Sequence, residues 1–288
     1  MGNLIVSVVL ACLAVQAAAS YRADIERFHA GREAELKADD GWLTVAGLFW
    51  LKPGANTAGS GTANDIVLPS KAPAKFGTFE LTDGTVTFTA DASAAVSRDG
   101  QAVTTAVLDT KAGDKGAIRS GDLVMFPIQR EDKIGIRMRD LKSARRVGFR
   151  GIRSFPIRPE YRIVARFVAY PQPKTVLVPN VLGQHPEMTS PGSVTFTLNG
   201  QALRLEPVFE TGERTELFFI FSDTTSRDAT YAAGRFLYAA LPKDGTVILD
   251  FNKAINPPCA FTDFATCPLP VKENRLPVRI EAGELAYR

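Results

Sequence analysis

Residues 77–90, GTFELTDGTVTFTA, decide the fold of this chain. Two short runs rich in Thr, Phe, Leu and Val flank the pair Asp83-Gly84. An Asp-Gly pair between runs of this kind is the strongest short-range signal for a β-hairpin. The stretch therefore predicts two antiparallel strands joined by a two-residue turn.

Short aromatic or β-branched runs bounded by Gly, Pro or Asp recur along most of the chain. The 288 residues include 23 Gly, 18 Pro and 18 Phe, a composition that suits many strands and turns. Regular spacing of such runs, with no helical pattern between them, favours packed antiparallel sheets. The clearest runs are WLTVAGLFWL (42–51), DIVLP (65–69), YRIVARFVAY (161–170), SVTFTLNGQALRLEPVF (193–209), TELFFIFSD (215–223), GRFLYAAL (234–241), GTVILDFN (245–252) and LPVRIEAGELAY (276–287).

The predicted fold class is mostly β, with two antiparallel sandwich-like or barrel-like units and one N-terminal helix. We divide the chain into a signal peptide (1–20), an amphipathic helix (21–40), a first β-sandwich (41–145) and a second β domain (146–288). The boundary between the two β domains falls within 140–156. The helix prediction rests on Tyr21, Ile25 and Phe28, which recur at helical spacing among charged residues.

The first 20 residues indicate export. They carry no charged side chain, and an apolar run from Leu4 to Val15 is followed by small residues up to Ala19. This pattern is typical of a secretory signal cleaved near Ala19 or Ser20, and the run is too short for a transmembrane segment. The predicted location is periplasmic or secreted. Cys12, in VLAC, offers lipid anchoring as an alternative, but the apolar LAV that follows favours soluble release.

Charge and cysteine content narrow the function classes. The net charge of +3 is too mild to predict a nucleic-acid partner. Once the signal is removed, Cys259 and Cys267 are the remaining cysteines, and in an oxidising compartment they predict a disulfide. With His29 and His185 as the only histidines, we predict no metal site. No motif for a cofactor is present, so none is predicted.

A candidate ligand site lies around the run GTVILDFN. Alternation along a strand projects Asp250 and Asn252 to the same face. The preceding PKDG (242–245) reads as a hairpin turn, which would place Arg235 across from that acid and amide. An Arg–Asp pair there could align a ligand or only fix the strand register.

The Pro-rich loop after this strand adds further polar candidates. Asn256, Glu273 and Asn274 lie in or beside the loop, and Glu284 lies in the EAGE turn. Paired carboxylates on a rigid loop could act as acid and base in glycan or ester cleavage. The same residue types also bond to loop backbone, so catalytic residues remain unassigned and the enzyme question stays open.

Nine arginines lie between Arg137 and Arg166. Alternation places Arg137 and Arg139 on one strand face, and Arg162 and Arg166 on another. The stretch could be a solvated rim, or it could bind a carboxylate, a phosphate or an anionic glycan.

The first β domain resembles a forkhead-associated (FHA) sandwich. LKPGANTAGSGTANDIVLP, GTFEL, TVTFTA, VSRDGQ and IRSGDLVMF follow the order of turns and strands in that family. The resemblance implies phosphothreonine binding through an Arg after the glycine turn and a Ser-Arg-x-x-His-like segment. Ser60 stands where that Arg would be, and APAKFG (72–77) offers neither Ser nor His. We therefore expect the scaffold without its phosphothreonine-binding residues.

Taken whole, the chain resembles the bacterial domain-of-unknown-function family sixteen eighty-four. The residues that carry the resemblance are GWLTVAGLFWLKPGAN (41–56), TYAAGRFLYA (230–239), LDFNKAINPPCAF (249–261), CPLPVKENRLP (267–277) and EAGE (281–284). The family implies an all-β architecture and no established activity.

These features together favour an exported ligand-binding module for an envelope-derived or anionic small molecule or glycan. The alternative is a hydrolase that cleaves an envelope glycan or ester with paired carboxylates. The identity of the ligand and the oligomeric state are left open by the sequence.

Overall fold

The computed structural model describes residues 2–210 and 214–287, and its contacts divide the chain into two units. One, the sandwich unit, comprises residues 35–150 and 262–265. The other, the helix-bearing unit, comprises the residues up to 34, then 151–261, and those from 266 onward. The short piece 262–265 is tied into the sandwich unit, since the Thr262 hydroxyl donates to the Val45 carbonyl oxygen at 2.9 Å.

The sandwich unit contains eleven short strands and one short helix among its described residues. The strands are β1 (Val45–Trp50), β2 (Gly54–Gly59), β3 (Ile66–Val67), β4 (Gly77–Thr82), β5 (Thr85–Ala90), β6 (Ser97–Arg98), β7 (Gln101–Ala102), β8 (Thr105–Leu108), β9 (Ile118–Ser120), β10 (Leu123–Arg130) and β11 (Lys133–Asp140), and the short helix is Ala144–Val147. They form a six-stranded sheet in the order β1-β11-β10-β9-β6-β7 and a five-stranded sheet in the order β3-β2-β4-β5-β8.

The opening hairpin forms as predicted. β4 and β5 pair antiparallel, from Gly77 opposite Ala90 to Thr82 opposite Thr85. Asp83 and Gly84 have φ angles of 49° and 78°, the left-handed conformation that a two-residue hairpin turn requires. One pair departs from the antiparallel prediction, because β2 and β3 run parallel.

The core of this unit lies between the inward faces of its two sheets. Phe79 and Phe88, on paired strands, are fully buried with ring centroids 4.8 Å apart, and Phe76 packs on Phe88 at 5.2 Å. Burying each phenyl ring contributes roughly 2–3 kcal/mol to the free energy of unfolding. The alternation of buried and exposed residues along β5 supplies this core from one strand face.

The helix-bearing unit combines one long helix with six strands among its described residues. These are α1 (Gly2–Lys37), β12 (Arg162–Leu177), β13 (Glu187–Leu198), β14 (Gln201–Leu205), β15 (Glu216–Phe221), β16 (Arg235–Ala240) and β17 (Thr246–Asp250). Four strands form a sheet in the order β14-β13-β12-β17, and β15 pairs with β16 in a separate two-stranded ribbon. The mostly β prediction with one N-terminal helix is confirmed.

Helix α1 uses the predicted apolar stripe. Ile25 is completely buried, and Tyr21 and Phe28 are half-buried. The helix continues through the predicted cleavage point, and processing there remains a prediction. The side chain of Cys12, the alternative lipidation site, lies outside the described part of the structure. Within the described ranges, no helix has the length and apolar character needed to cross a bilayer.

The C-terminal run LPVRIEAGELAY (276–287) does not form the predicted strand. It is irregular, with an isolated bridge from Glu284 to Ser154, and a second bridge joins Arg275, just before the run, to Ser222. Two of its carbonyl groups, those of Ile280 and Ala282, accept hydrogen bonds from a buried arginine side chain. The run is apolar because it packs into the core of its unit, and this burial does not require a strand.

Gly283 fixes the path of this C-terminal segment. Its φ is +76°, and a Cβ there would overlap the carbonyl oxygens of Phe251 and Ala254. We expect Gly283→Ala to lower the free energy of unfolding by more than about 2 kcal/mol, since a left-handed alanine alone costs roughly 1–2 kcal/mol. Urea unfolding checks this. Gly245→Ala is the matched control, because Gly245 has a φ of +71° with no atom near its Cβ position. Equal losses in both variants would contradict the steric account.

Candidate functional site

Asp250 ends strand β17 and contacts helix α1. It is 8% exposed, and its Oδ1 accepts a hydrogen bond from the Tyr21 hydroxyl at 2.9 Å. The Nε of Arg162, the residue opposite Asp250 on β12, lies 3.9 Å from its Oδ2. The acid therefore joins a helix residue to a strand residue that are far apart in sequence.

Asn252 stands beside Asp250, as predicted, although it does so through a short 3₁₀ turn rather than along the strand. Its side-chain NH₂ donates to the Tyr21 hydroxyl oxygen at 2.9 Å and to the Arg158 carbonyl at 2.8 Å. Its Oδ1 accepts from the Arg158 backbone N–H at 3.0 Å. The Asn252 carbonyl lies 3.1 Å from the Nε2 of His29. Asn252 thus fixes the position of α1. His29 lies off the apolar stripe, a position typical of solvated residues, but here its ring contacts the Asn252 carbonyl.

A cavity of about 600 Å³ lies next to these contacts. We call it the Tyr21 cavity. Its lining residues come from α1, the start of β12 and the end of β17, and they are Ala18, Ser20, Tyr21, Asp24, Ile25, Pro159, Arg162, Asp250 and Lys253. The cavity has two acidic and two basic side chains on its walls, and all of them belong to the helix-bearing unit.

The two acids of the Tyr21 cavity are engaged by protein groups. Asp24 forms an ion pair with Arg27 one turn along the helix, and Asp250 accepts from Tyr21 and Asn252. Burial, together with the hydrogen bond to Asp250, raises the pKa of Tyr21 above its ordinary value, so its hydroxyl stays protonated and donates. The cations are less committed. The Arg162 side chain is 48% exposed, and Lys253 lies over the Phe28 ring at 5.5 Å.

The predicted pairing of Arg235 with Asp250 is wrong. The Asp244-Gly245 turn forms, with φ angles of 50° and 71°, but β16 then pairs with β15, and β17 pairs with β12. Arg235 is 1% exposed and donates from Nη2 to Asp223 Oδ2 at 2.5 Å. It also donates to the carbonyls of Ile280 and Ala282, as noted above. Arg235 is therefore part of the core of its unit and does not line the Tyr21 cavity.

Glu284 and Asn256 form a second buried polar group, separate from Asp250. Glu284 is 2% exposed, and its Oε2 accepts from the Asn256 backbone N–H at 2.7 Å. The Nε of Arg32 lies 3.6 Å from its Oε1, and an Nη of Arg32 donates to the Asn256 carbonyl at 3.2 Å. Burial raises the pKa of Glu284 to about 7, against the opposing effect of Arg32. This group attaches α1 to the C-terminal segment.

The remaining two polar candidates lie apart from the cavity. Glu273 is exposed in a short 3₁₀ turn. Asn274 is 3% exposed; its NH₂ donates to the carbonyls of Glu206 and Ile220, and its Oδ1 accepts from the Glu206 backbone N–H at 2.8 Å. Of the seven predicted ligand residues, the structure brings Asp250 alone to the wall of the Tyr21 cavity, with Asn252 directly behind it.

The two cysteines of the Pro-rich loop are neighbours in space. The Cys259 backbone N–H donates to the Cys267 Sγ at 3.1 Å, and the Tyr231 hydroxyl donates to the Cys259 carbonyl at 3.2 Å. The disulfide remains a prediction. The loop does not line the Tyr21 cavity, contrary to the expectation that it would border the site. Across 2–210 and 214–287, no cluster of three or more His, Cys, Asp or Glu residues is placed to hold a metal ion.

The arginine-rich stretch divides into two groups. Arg137 is 6% exposed and packs on the Trp42 ring at 5.2 Å, and Arg139 donates to the Gly41 carbonyl at 2.9 Å. These two support the sandwich unit. Arg162 and Arg166 both project from the exposed face of β12, as strand alternation predicts.

Sequence reasoning identified Asp250 and Arg162 among the cavity residues and missed the others, including Tyr21 and Lys253. Tyr21 was assigned to an apolar stripe, and Lys253 follows Asn252 without any motif. Tyr21 and Asp250 are 229 residues apart, and their contact depends on how α1 packs. The one available signal was the hydroxyl of Tyr21, because a half-buried tyrosine on a helix stripe usually has a hydrogen-bond partner.

A family model described as "Protein of unknown function (DUF1684)" matches residues 147–285. The matched range covers slightly less than half of the chain. The resemblance drawn from TYAAGRFLYA, LDFNKAINPPCAF, CPLPVKENRLP and EAGE is confirmed, while GWLTVAGLFWLKPGAN lies outside the matched range. No curated protein matches the chain.

Two solved structures are similar to parts of the chain. An uncharacterized protein of Haloarcula marismortui, solved by solution NMR, is 29% identical over 49% of this chain and 78% of that chain, with a TM-score of 0.41. The FHA domain of FhaA, solved in complex with the intracellular domain of Rv3910, is 16% identical over 32% of this chain and 97% of that chain, with a TM-score of 0.23. The β-sandwich assignment rests on the two sheets of the unit itself.

Because Arg235 and Asp223 are both buried, removing either partner should leave an uncompensated polar group in the core. We expect Arg235→Ala and Asp223→Asn each to lower the free energy of unfolding by about 3–5 kcal/mol. Arg279→Ala is the control, since the Arg279–Asp228 pair is exposed and screened by solvent, so its removal should change stability far less. Urea titrations measure all three. A loss below about 1 kcal/mol for both core variants would contradict the structural assignment.

Glu284 makes stability depend on pH. Its pKa of about 7 in the folded protein exceeds the ordinary value of 4.5, so the folded state binds more protons than the unfolded state between these pH values. The contribution of Glu284 to stability is therefore present below pH 4.5 and is lost as pH rises through 7.

The variant Glu284→Gln should lack this dependence. Relative to the wild type, it should gain up to about 3 kcal/mol in free energy of unfolding between pH 4.5 and 7.5. Paired urea titrations across this range measure the difference. A difference that stays constant with pH would show that Glu284 is ionised throughout in the folded protein.

Proposed function

We propose that the chain is an exported binding module that holds an anionic small molecule or glycan in the Tyr21 cavity. The single observation that carries the proposal is this cavity of about 600 Å³, whose wall carries Lys253 and an Arg162 side chain that stays 48% exposed although it pairs with Asp250. Its volume lies within the range of small-molecule sites, which is roughly 300–1,000 Å³.

The side chains on the cavity wall suit an anion with hydroxyl groups. Arg162 has a planar guanidinium that can bind a carboxylate or phosphate through two parallel hydrogen bonds. Lys253 adds a second positive charge, and Asp250 can accept hydrogen bonds from sugar hydroxyls. Ile25 and the ring of Tyr21 give the cavity an apolar part.

Export is supported by the uncharged apolar stretch before Tyr21. Cleavage after Ser20 would remove Ala18 and Ser20 from the cavity wall and would leave every charged lining residue in place. The proposed disulfide between Cys259 and Cys267 belongs to this exported form.

A binding role is favoured over the alternative hydrolase by the positions of the carboxylates. Glu273 is exposed, Glu284 is held by Arg32 and Asn256, and neither lines the cavity beside Asp250. The second acid on the cavity wall, Asp24, is ion-paired with Arg27. The acid and base of a glycosidase must face the same bond, about 5–10 Å apart. The pKa of Glu284 is raised because the carboxyl group is buried in this structural contact.

Thermal-shift and calorimetric titrations with glucuronate, glucose 6-phosphate and neutral glucose test the proposal. The anionic sugars should stabilise the protein, by about 2.7 kcal/mol at a concentration 100 times Kd, and glucose should do so far less. Arg162→Gln should weaken binding of the anionic sugars by about 10–100-fold, because it removes a charge-assisted hydrogen bond.

The matched control is Arg279→Gln, in the same unit and outside the cavity, with a side chain that is 44% exposed. It should bind like the wild type. The proposal fails if neither anionic sugar binds, or if both arginine variants lose affinity equally.

A further inference from the structure

The outer face of the four-stranded sheet combines exposed apolar residues with arginines. Along β12, alternate residues project from this face, beginning with Arg162 and Val164. Cross-strand pairing extends the face over the neighbouring strands. Its outward side chains are Arg162, Val164, Arg166, Val168, Thr195, Ala202, Arg204, Thr246 and Ile248, and we call them the outer sheet face.

The centre of the outer sheet face is apolar and open to solvent. Val164 pairs directly with Ile248 across β12 and β17. Val164 is 64% exposed, Val168 43% and Ile248 38%. Directly opposed residues lie about 5 Å apart, so Val164 and Ile248 form one apolar pair. Val168 lies about 13 Å from Val164 on the same face, with Arg166 between them. Contiguous exposed apolar patches on a soluble surface mark interaction sites.

Arginines alternate with the outward valines of β12, since Arg162 and Arg166 lie on either side of Val164. Arg166 pairs with Thr195 on one side and Thr246 on the other, and Thr195 pairs in turn with Arg204. One row across the sheet thus carries two arginines separated by threonine. Arg162 occupies the next row beyond Val164.

The outer sheet face is electrostatically one-sided. Asp250, opposite Arg162, is the one acid on these strand segments that shares the face, and it is 8% exposed. Within the described ranges, Arg166 forms no ion pair, and Arg204 donates to the neutral hydroxyl of Tyr170 at 2.7 Å. Arg162 is paired with Asp250, and the charges of Arg166 and Arg204 are not neutralised by an acid within the described ranges.

We propose that the outer sheet face docks on a bilayer surface that contains anionic phospholipids. Its arginines would bind headgroup phosphates, and Val164, Val168 and Ile248 would enter the interfacial region. Both kinds of side chain would bind such a surface favourably. The arginines are attracted to the negative leaflet, and the apolar side chains are removed from water.

Other binding partners would fit the outer sheet face less well than a lipid surface. A second copy of this chain would place arginines against arginines, because a two-fold contact brings the same face to itself. A soluble polyanion would satisfy the arginines and leave the valines and isoleucine in water. The combination of charge and apolar area therefore favours a lipid surface.

Cosedimentation of the full chain with vesicles tests the proposal. Binding should be strong to phosphatidylcholine vesicles that contain about 25% phosphatidylglycerol, weak to phosphatidylcholine alone, and reduced by salt. Each arginine near an anionic surface contributes roughly fivefold to partitioning, so Arg166→Gln with Arg204→Gln should weaken binding by about 25-fold. These two residues lie outside the Tyr21 cavity, so this result is independent of the ligand titrations.

Apolar insertion has a matched pair of variants. Val164→Ser should weaken binding by roughly threefold or more, since it removes a branched apolar group from the interface. Val107→Ser should leave binding unchanged, because Val107 is 59% exposed on strand β8 of the sandwich unit. Circular dichroism and urea unfolding of each variant confirm that it is folded.

Three results would overturn the proposal. Equal binding to both vesicle types, unaffected by the variants, would assign membrane affinity to the apolar N-terminal stretch. In a second case, the arginine variant loses binding while the two serine variants bind equally. This would show that the arginines are attracted to anionic lipid without docking of this face. Binding to heparin that exceeds binding to vesicles and depends on Arg166 and Arg204 would identify a soluble polyanion as the partner.

Discussion

The buried guanidinium of Arg235 organises the helix-bearing unit. A charged group with almost no exposure needs hydrogen-bond partners inside the protein, and Asp223 with two C-terminal carbonyls accepts three bonds from its Nη atoms. The requirement draws residues 280–282 against β16 without a strand ladder. Gly283 and Glu284 follow at once, so the position of the buried carboxyl near Asn256 and Arg32 is a consequence of the arginine's position.

Helix α1 is attached through polar contacts placed along one side. Tyr21 meets Asp250 and Asn252, His29 meets the Asn252 carbonyl, and Arg32 meets Glu284. Ile25 supplies apolar burial between them. Because the helix forms one wall of the Tyr21 cavity, the contacts that hold the helix also define the cavity. Asn252 is therefore a structural residue with a direct influence on the proposed site.

The predictable part of the structure is the part that is local in sequence. The Asp83-Gly84 hairpin and the α1 stripe each depend on a few adjacent residues, and both were identified. The Asp244-Gly245 turn was also identified, but a turn does not determine which strands pair when each strand has a competing neighbour. Strand β16 pairs with β15, and β17 pairs with β12, because of how the whole core packs. With this pairing Arg235 does not lie opposite Asp250. The Tyr21 contact, made across 229 residues, depends on tertiary packing in the same way.

The division of the chain has a consequence for dissecting the protein. The sandwich unit is discontinuous: residues 262–265 belong to it although they lie within the range matched by the DUF1684 model, and Thr262 bonds to the first residue of β1. A fragment truncated after residue 150 would retain all the strands of the sandwich and leave the Val45 carbonyl without its hydroxyl donor. Expression boundaries drawn from sequence families alone would separate a piece of the sandwich from its own fold.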